Sequence, residues 1–153
     1  MTVHAGAIAR FDRGDWRAAL IFGPSGAGKS DLALRALSAG WRLVSDDYSV
    51  LWTSGGCLWV RAPDTIAGRI EARGLGIEPE PCLPFARVCL AVTLVEDVER
   101  LPEPGEMVLE GVAVPSLELR SREDSALWKL DRALSTRGLK DPLADESLGT
   151  RRA

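Results

Sequence analysis

The chain is short of lysine, histidine and cysteine. Lysine occurs three times in 153 residues, as Lys29, Lys129 and Lys140, and histidine once, as His4. With a net charge of −3 there is no basic surface of the kind that nonspecific nucleic-acid binding needs. The three cysteines, Cys57, Cys82 and Cys89, are odd in number and irregular in spacing, with no CxxC pair and no zinc pattern, so they read as reduced thiols. No window approaches the roughly 18 apolar residues of a membrane span, and the segment MTVHAGAIARFDRGD has no long apolar centre. A cytoplasmic location without membrane or nucleic-acid partners is expected. Internal repeats are also missing.

What is present suits one domain: 46% hydrophobic and 27% charged residues. VHAGAIARF and WRAALIFG are β-prone runs around the turn DRGD, which predicts a hairpin. Ala18 to Phe22 is apolar throughout, as a strand buried on both faces would be. DLALRALSAG predicts a short helix with Gly40 just past its end. WRLVSDD and YSVLWT read as extended, and CLWVRA pairs back across SGG as a second hairpin. Residues 63–80 read as an irregular, functional loop, RVCLAVTLV as a central strand, and MVLEGVAVPSLELR as two strands around Glu110-Gly111 with Pro115 at an edge or bulge. SALWKLDRALSTR carries Leu127, Leu130 and Leu134 at helical spacing and ends at Gly138. The expected organisation is a domain over 1–138 and a disordered tail over 139–153. This order is strand-rich with few helices, unlike the regular alternation of a doubly wound sheet.

Two features carry chemistry. Gly23-Pro24-Ser25-Gly26-Ala27-Gly28-Lys29-Ser30 matches G-x-x-x-x-G-K-[ST] in full, entered by an apolar strand and left by a helical pattern. Such a loop turns successive N–H groups inward to phosphate oxygens, adds the dipole of the following helix, and brings the lysine to the β/γ-phosphates and the serine hydroxyl to Mg²⁺. The second feature is Asp46-Asp47 at the end of GWRLVSDD. If the strand after the loop's helix lies beside the loop's own strand, both carboxylates reach the ligand end of the sheet. Side-chain alternation points them to opposite faces. One is then suited to orient metal-bound water and the other to accept the proton of an attacking hydroxyl. Taken alone, His4 reads as an ordinary surface histidine.

In their order, VHAGAIA, GPSGAGKS, AGWRLVSDD and IEARGLGIEP resemble the catalytic domain of the bacterial HPr kinase/phosphorylase family, with its H-G-x-L-V, G-x-S-G-x-G-K-S, R-G-H-R-L-V-A-D-D and E-x-R-G-L-G-I segments. The resemblance runs from about His4 to about Arg100, continues weakly into the final helix, and is to the C-terminal catalytic domain only. It implies a strand-rich P-loop α/β fold related to phosphoenolpyruvate carboxykinase. It implies ATP and Mg²⁺ as cofactors and HPr, or an HPr-like phosphocarrier of a phosphotransferase system, as the protein phosphorylated on serine. By the same resemblance, Asp47 is the base toward the serine and the acid in reverse, and Lys29 holds phosphate. Ser30 and Glu71 ligate the metal, for which the residues themselves also offer Asp46, and His4 sits by the transferring phosphoryl group. Arg73 to Ile77 belong to the catalytic loop, and Arg100 stabilises charge. The family's hexamer raises a homo-oligomer here. The family's P-x-R-P-G-R-N loop has become LELRSREDSA, with Ser121 and Arg122 replacing Pro and Gly, so efficient phosphorolysis is not expected. Two other functions stay open: a module that binds ATP without transferring it, and a small-molecule P-loop kinase, which the hairpins disfavour.

Overall fold

A computed structural model describes residues 1–139. Its strands are β1 (Thr2–Val3), β2 (Ala5–Asp12), β3 (Asp15–Phe22), β4 (Arg42–Ser45), β5 (Ser49–Ser54), β6 (Cys57–Arg61), β7 (Arg69–Ala72), β8 (Gly76–Pro79), β9 (Ala86–Leu94), β10 (Gly105–Leu109) and β11 (Val112–Leu119). Two helices, α1 (Lys29–Ser38) and α2 (Ala126–Arg137), complete the described residues.

Nine strands form one mixed sheet: seven follow the order β1-β5-β6-β9-β3-β2-β4, and β11, itself paired with β10, joins at β9. β9 is its centre, as RVCLAVTLV predicts. On one side it pairs in parallel with β3; on the other it meets β6 at Ala86 and Arg87 and, further along, runs parallel to β11 from Ala91 to Leu94. β3 and β9 are buried on both faces, which is why their sequences are continuous apolar runs rather than alternating ones. Ala19, Ile21 and Val92 face a core closed by Leu32 of α1 and Leu130 and Leu134 of α2. Ala18, Leu20 and Val88 face a second core closed by Leu51 of β5, Leu58 of β6 and Val114 of β11. Each Leu so buried contributes about 1.5–3 kcal/mol.

The hairpins β2–β3 and β5–β6 and the turn at Glu110-Gly111 lie where the sequence puts them. α1 ends in a Schellman motif: Trp41 N–H donates to the Ala36 carbonyl at 3.1 Å and Gly40 N–H to the Leu37 carbonyl at 3.4 Å, with Gly40 at φ 95°. That closure delivers Trp41 to the core, where its indole N–H donates to Asp131 of α2 at 2.7 Å. Pro115 sits where β11 exchanges its partner β10 for β9.

Three expectations need correction. Residues 63–80 are not an irregular loop throughout, because β7 and β8 form a separate two-stranded hairpin there. β4 does not lie beside β3; β2 intervenes, and β4 is an edge strand. Both pairings are antiparallel, so β4 still runs in the sense of β3 and ends at the same end of the sheet. His4 is not within the first hairpin strand but at the bend between β1 and β2. The tail expected over 139–153 falls outside the described residues except for Leu139, whose N–H donates to the Cys89 carbonyl at 2.9 Å.

Candidate active site

The parallel strands β3, β9 and β11 all end on one side of the molecule, and the segment Gly23–Ser30 leaves β3 there. The loop is closed by Ala27 N–H to the Pro24 carbonyl at 3.0 Å and opens directly into α1. Gly28 is the N-cap of α1, and no side chain caps the helix, an arrangement that can receive an anion at its first N–H groups. Lys29 is only 6% exposed and lies back across the loop, its ammonium donating to the carbonyls of Gly23 at 2.6 Å and Pro24 at 3.1 Å.

β4 brings the aspartates to the same place. The Ser30 hydroxyl donates to Asp46 Oδ1 at 2.7 Å, and the Glu71 N–H donates to Asp46 Oδ2 at 2.9 Å. One carboxylate therefore joins the start of α1, the end of β4 and the β7–β8 hairpin. Ser30 and Asp46 are hard oxygen donors beside the loop, the type and small number that Mg²⁺ takes from a protein when phosphates and water supply the rest. Among the described residues no group of three or more His, Cys, Asp or Glu is arranged to hold a metal by itself. Glu71 is exposed on β7 and meets Asp46 through its backbone.

Asp47 points elsewhere, though not by strand alternation. β4 has ended, and Tyr48 N–H donates to the Asp46 carbonyl at 2.7 Å across a three-residue turn with Asp47 central at φ 66°. A φ in that range at the centre of an i→i+2 turn is strained for a residue with a side chain, and such strain gathers at functional sites. The Ser45 hydroxyl braces the turn by donating to the Tyr48 carbonyl, and the buried Ser49 hydroxyl ties the next residue to the Ala5 carbonyl at 2.7 Å. The result aims Asp47 at His4, whose Nε2 donates to Asp47 Oδ1 at 2.7 Å. The His4 ring stacks on Tyr48, centroids 4.9 Å apart. Both side chains of the pair stay open to solvent.

Arg100 is placed differently. It lines a cavity of about 460 Å³ between the loop after β9, the end of β11 and α2, together with Arg120, Glu123, Trp128 and Arg132. Among the described residues no hydrogen bond or ion pair joins it to the loop or to either aspartate. Arg120 and Lys129 are both drawn to Glu123, and the Lys129 ammonium bonded to it, with Arg120 adding to the effect, holds the Glu123 carboxyl below its usual range. Leu75 and Ile77 stand exposed on the β7–β8 hairpin.

In the sequence Ser121 stands out only as a departure from the family's motif. In the fold it is buried against the phosphate loop, its hydroxyl donating to the Ala27 carbonyl at 2.7 Å. The two residues are far apart in the chain, and neither spacing nor periodicity signals their contact.

Fold and site together define a strand-rich α/β domain with a glycine-rich G-x-x-x-x-G-K-S loop and an acidic pair at one end of its sheet. Residues 4–78 match the family model of the HPr Serine kinase C-terminal domain, a range holding His4, the loop, both aspartates and Glu71 but not Arg100. An HPr kinase/phosphorylase of Brevibacillus brevis is 48% identical over 59 residues, 38% of this chain and 19% of that protein. One from Clostridium tetani is 44% identical over 64 residues, 42% of this chain and 21% of that protein. The matched segments thus span about a fifth of those relatives' length. The structure of the Hpr(Ser) kinase/phosphatase from Coxiella burnetii aligns with a TM-score of 0.75 at 23% identity, covering 88% of this chain and 94% of that one, and so shares the fold. The resemblance to the HPr kinase/phosphorylase family, in its C-terminal domain, holds. No helix among the described residues is long and apolar enough to cross a membrane.

Proposed function

We propose that this chain is a Mg²⁺-ATP-dependent serine kinase of the HPr kinase type, acting on HPr or an HPr-like phosphocarrier and so regulating a phosphotransferase system. The observation that carries the reading is the division of labour between neighbouring carboxylates. Asp46 is bound to Ser30 of the phosphate loop, whereas Asp47 is turned away to His4 by a strained three-residue turn.

In this reading the loop N–H groups and the N-terminus of α1 receive the ATP phosphates, and Lys29 exchanges the carbonyls of Gly23 and Pro24 for phosphate oxygens. Ser30, Asp46 and Glu71 would hold Mg²⁺, which supplies charge neutralisation on the phosphates when bound. Asp47 accepts the proton of the attacking serine hydroxyl. His4, bonded to the same carboxylate, fixes its direction beside the transferring group. Arg100 is assigned charge stabilisation from its chemistry. Arg120, engaged by Glu123, is poorly disposed to bind inorganic phosphate, which fits the expectation of weak phosphorolysis. Incubation with γ-labelled Mg²⁺-ATP and an HPr protein tests the reading: label on an HPr serine supports it, and nucleotide binding without label moves the function to an ATP-sensing module.

A further inference from the structure

We propose that Ser121 is a positioning residue of the phosphate loop, its hydroxyl locking the Ala27–Gly28 peptide plane so that the Gly28 N–H faces the bound phosphates. The inference rests on the reading of residues 23–30 as a triphosphate site.

No peptide bond among the described residues is cis. In a trans peptide the carbonyl and the following N–H point in opposite directions. The Ala27 carbonyl is aimed at Ser121, which donates to it at 2.7 Å, so the Gly28 N–H is turned to the opposite side. Gly28 adopts φ 97°, which lets the loop curl, but glycine also makes rotation of this peptide plane easy. A loop with that freedom benefits from a lock applied from outside. Ser121 is built to apply it. It lies directly on the glycine: a Cβ on Gly28 would sit 2.7 Å from Ser121 Oγ and 3.3 Å from its Cβ. Its own position is fixed, because Arg35 of α1 donates to the Ser121 carbonyl while its Nε lies 3.3 Å from Asp31 Oδ2 on the same helix. Loop, helix and the corner after β11 thereby close a ring of contacts around one peptide plane.

The test is calorimetric titration of the whole chain with Mg²⁺-ATP, for the wild type and for Ser121→Ala, Ser121→Val and Ser121→Thr, with adenosine as the phosphate-free control. Loss of one neutral hydrogen bond to an oriented carbonyl should weaken Mg²⁺-ATP binding about three- to tenfold in the Ala and Val variants, while Thr, which keeps the hydroxyl, stays within about twofold. Thr and Val have nearly the same shape, so a difference between them isolates the hydroxyl from packing. The ¹⁵N-labelled Gly28 amide should shift in Val relative to Thr, and in the wild type it should shift on adding Mg²⁺-ATP, a readout that needs no variant. Equal affinity in Ala, Val and Thr, or a wild-type Gly28 amide unmoved while neighbouring loop amides respond, overturns the role of Ser121 alone. A wild type that fails to bind Mg²⁺-ATP overturns the triphosphate site itself and the role of Ser121 with it.

Discussion

Substituting the two aspartates one at a time should separate stability from chemistry. Asp46→Ala deletes a carboxylate that accepts the Ser30 hydroxyl at 2.7 Å and the Glu71 N–H at 2.9 Å. A hydrogen bond to a charged acceptor contributes about 1.5–3 kcal/mol net, but Asp46 is half-buried and water replaces part of the loss, so a destabilisation of about 2–4 kcal/mol is expected. At about 2–4 °C per kcal/mol for a domain of this size, the melting temperature should fall by roughly 4–16 °C. Asp47→Asn is different. Its partner His4 is exposed, such surface pairs contribute about 0–1 kcal/mol, and asparagine tolerates the left-handed φ of 66°. The melting temperature should move by no more than a few degrees, while phosphoryl transfer is lost with the base. Thermal unfolding followed by circular dichroism, paired with single-turnover transfer from labelled ATP, reads both effects. An Asp46→Ala variant that melts with the wild type, or an Asp47→Asn variant destabilised by more than about 2 kcal/mol, would refute this division between the carboxylates.

Gly28→Ala should abolish nucleotide binding, because alanine at φ 97° is strained and its Cβ would lie 2.7 Å from Ser121 Oγ; titration with Mg²⁺-ATP measures it, and wild-type affinity would contradict the loop geometry. The Glu123 carboxyl, lowered from its ordinary 4.5 chiefly by the hydrogen bond from Lys129, contributes stability that is fully present above pH 4.5 and lost as the pH falls through its folded value. Thermal melts of the wild type and Glu123→Gln from pH 6 to pH 3 should therefore differ at the upper end and converge at the lower, about one charge pair being involved.

Most of the fold was legible in local patterns. Ala18 to Phe22 and RVCLAVTLV are apolar without alternation because β3 and β9 are covered on both faces, and the turns DRGD, SGG and Glu110-Gly111 announce their hairpins. Gly40 marks the end of α1 because the Schellman closure needs its positive φ. The candidate site was legible to the extent that it is contiguous: Gly23 to Ser30 and Asp46-Asp47 are short runs of distinctive residue types. What escaped depends on long-range placement. That β2 inserts between β3 and β4 is a property of the sheet order, and no local signal encodes it. The turn that redirects Asp47 follows from the end of β4 and the hydroxyls of Ser45 and Ser49, which look like unremarkable polar residues in a strand-rich segment. Ser121 and Ala27 meet only because β11 runs parallel to β9 and ends where the phosphate loop begins. The role of Arg100 is implied by the family resemblance alone, and the fold sets it in a cavity against α2.

The most direct test of the central claim is transfer of labelled phosphate from Mg²⁺-ATP to a serine of HPr by the purified chain, with Asp47→Asn alongside. The account predicts label on serine with the wild type and none with the variant, while both bind Mg²⁺-ATP equally well. Equal labelling by the two proteins would contradict the assignment of Asp47 as the base, and binding of nucleotide with no labelled serine in the wild type would contradict the kinase reading itself.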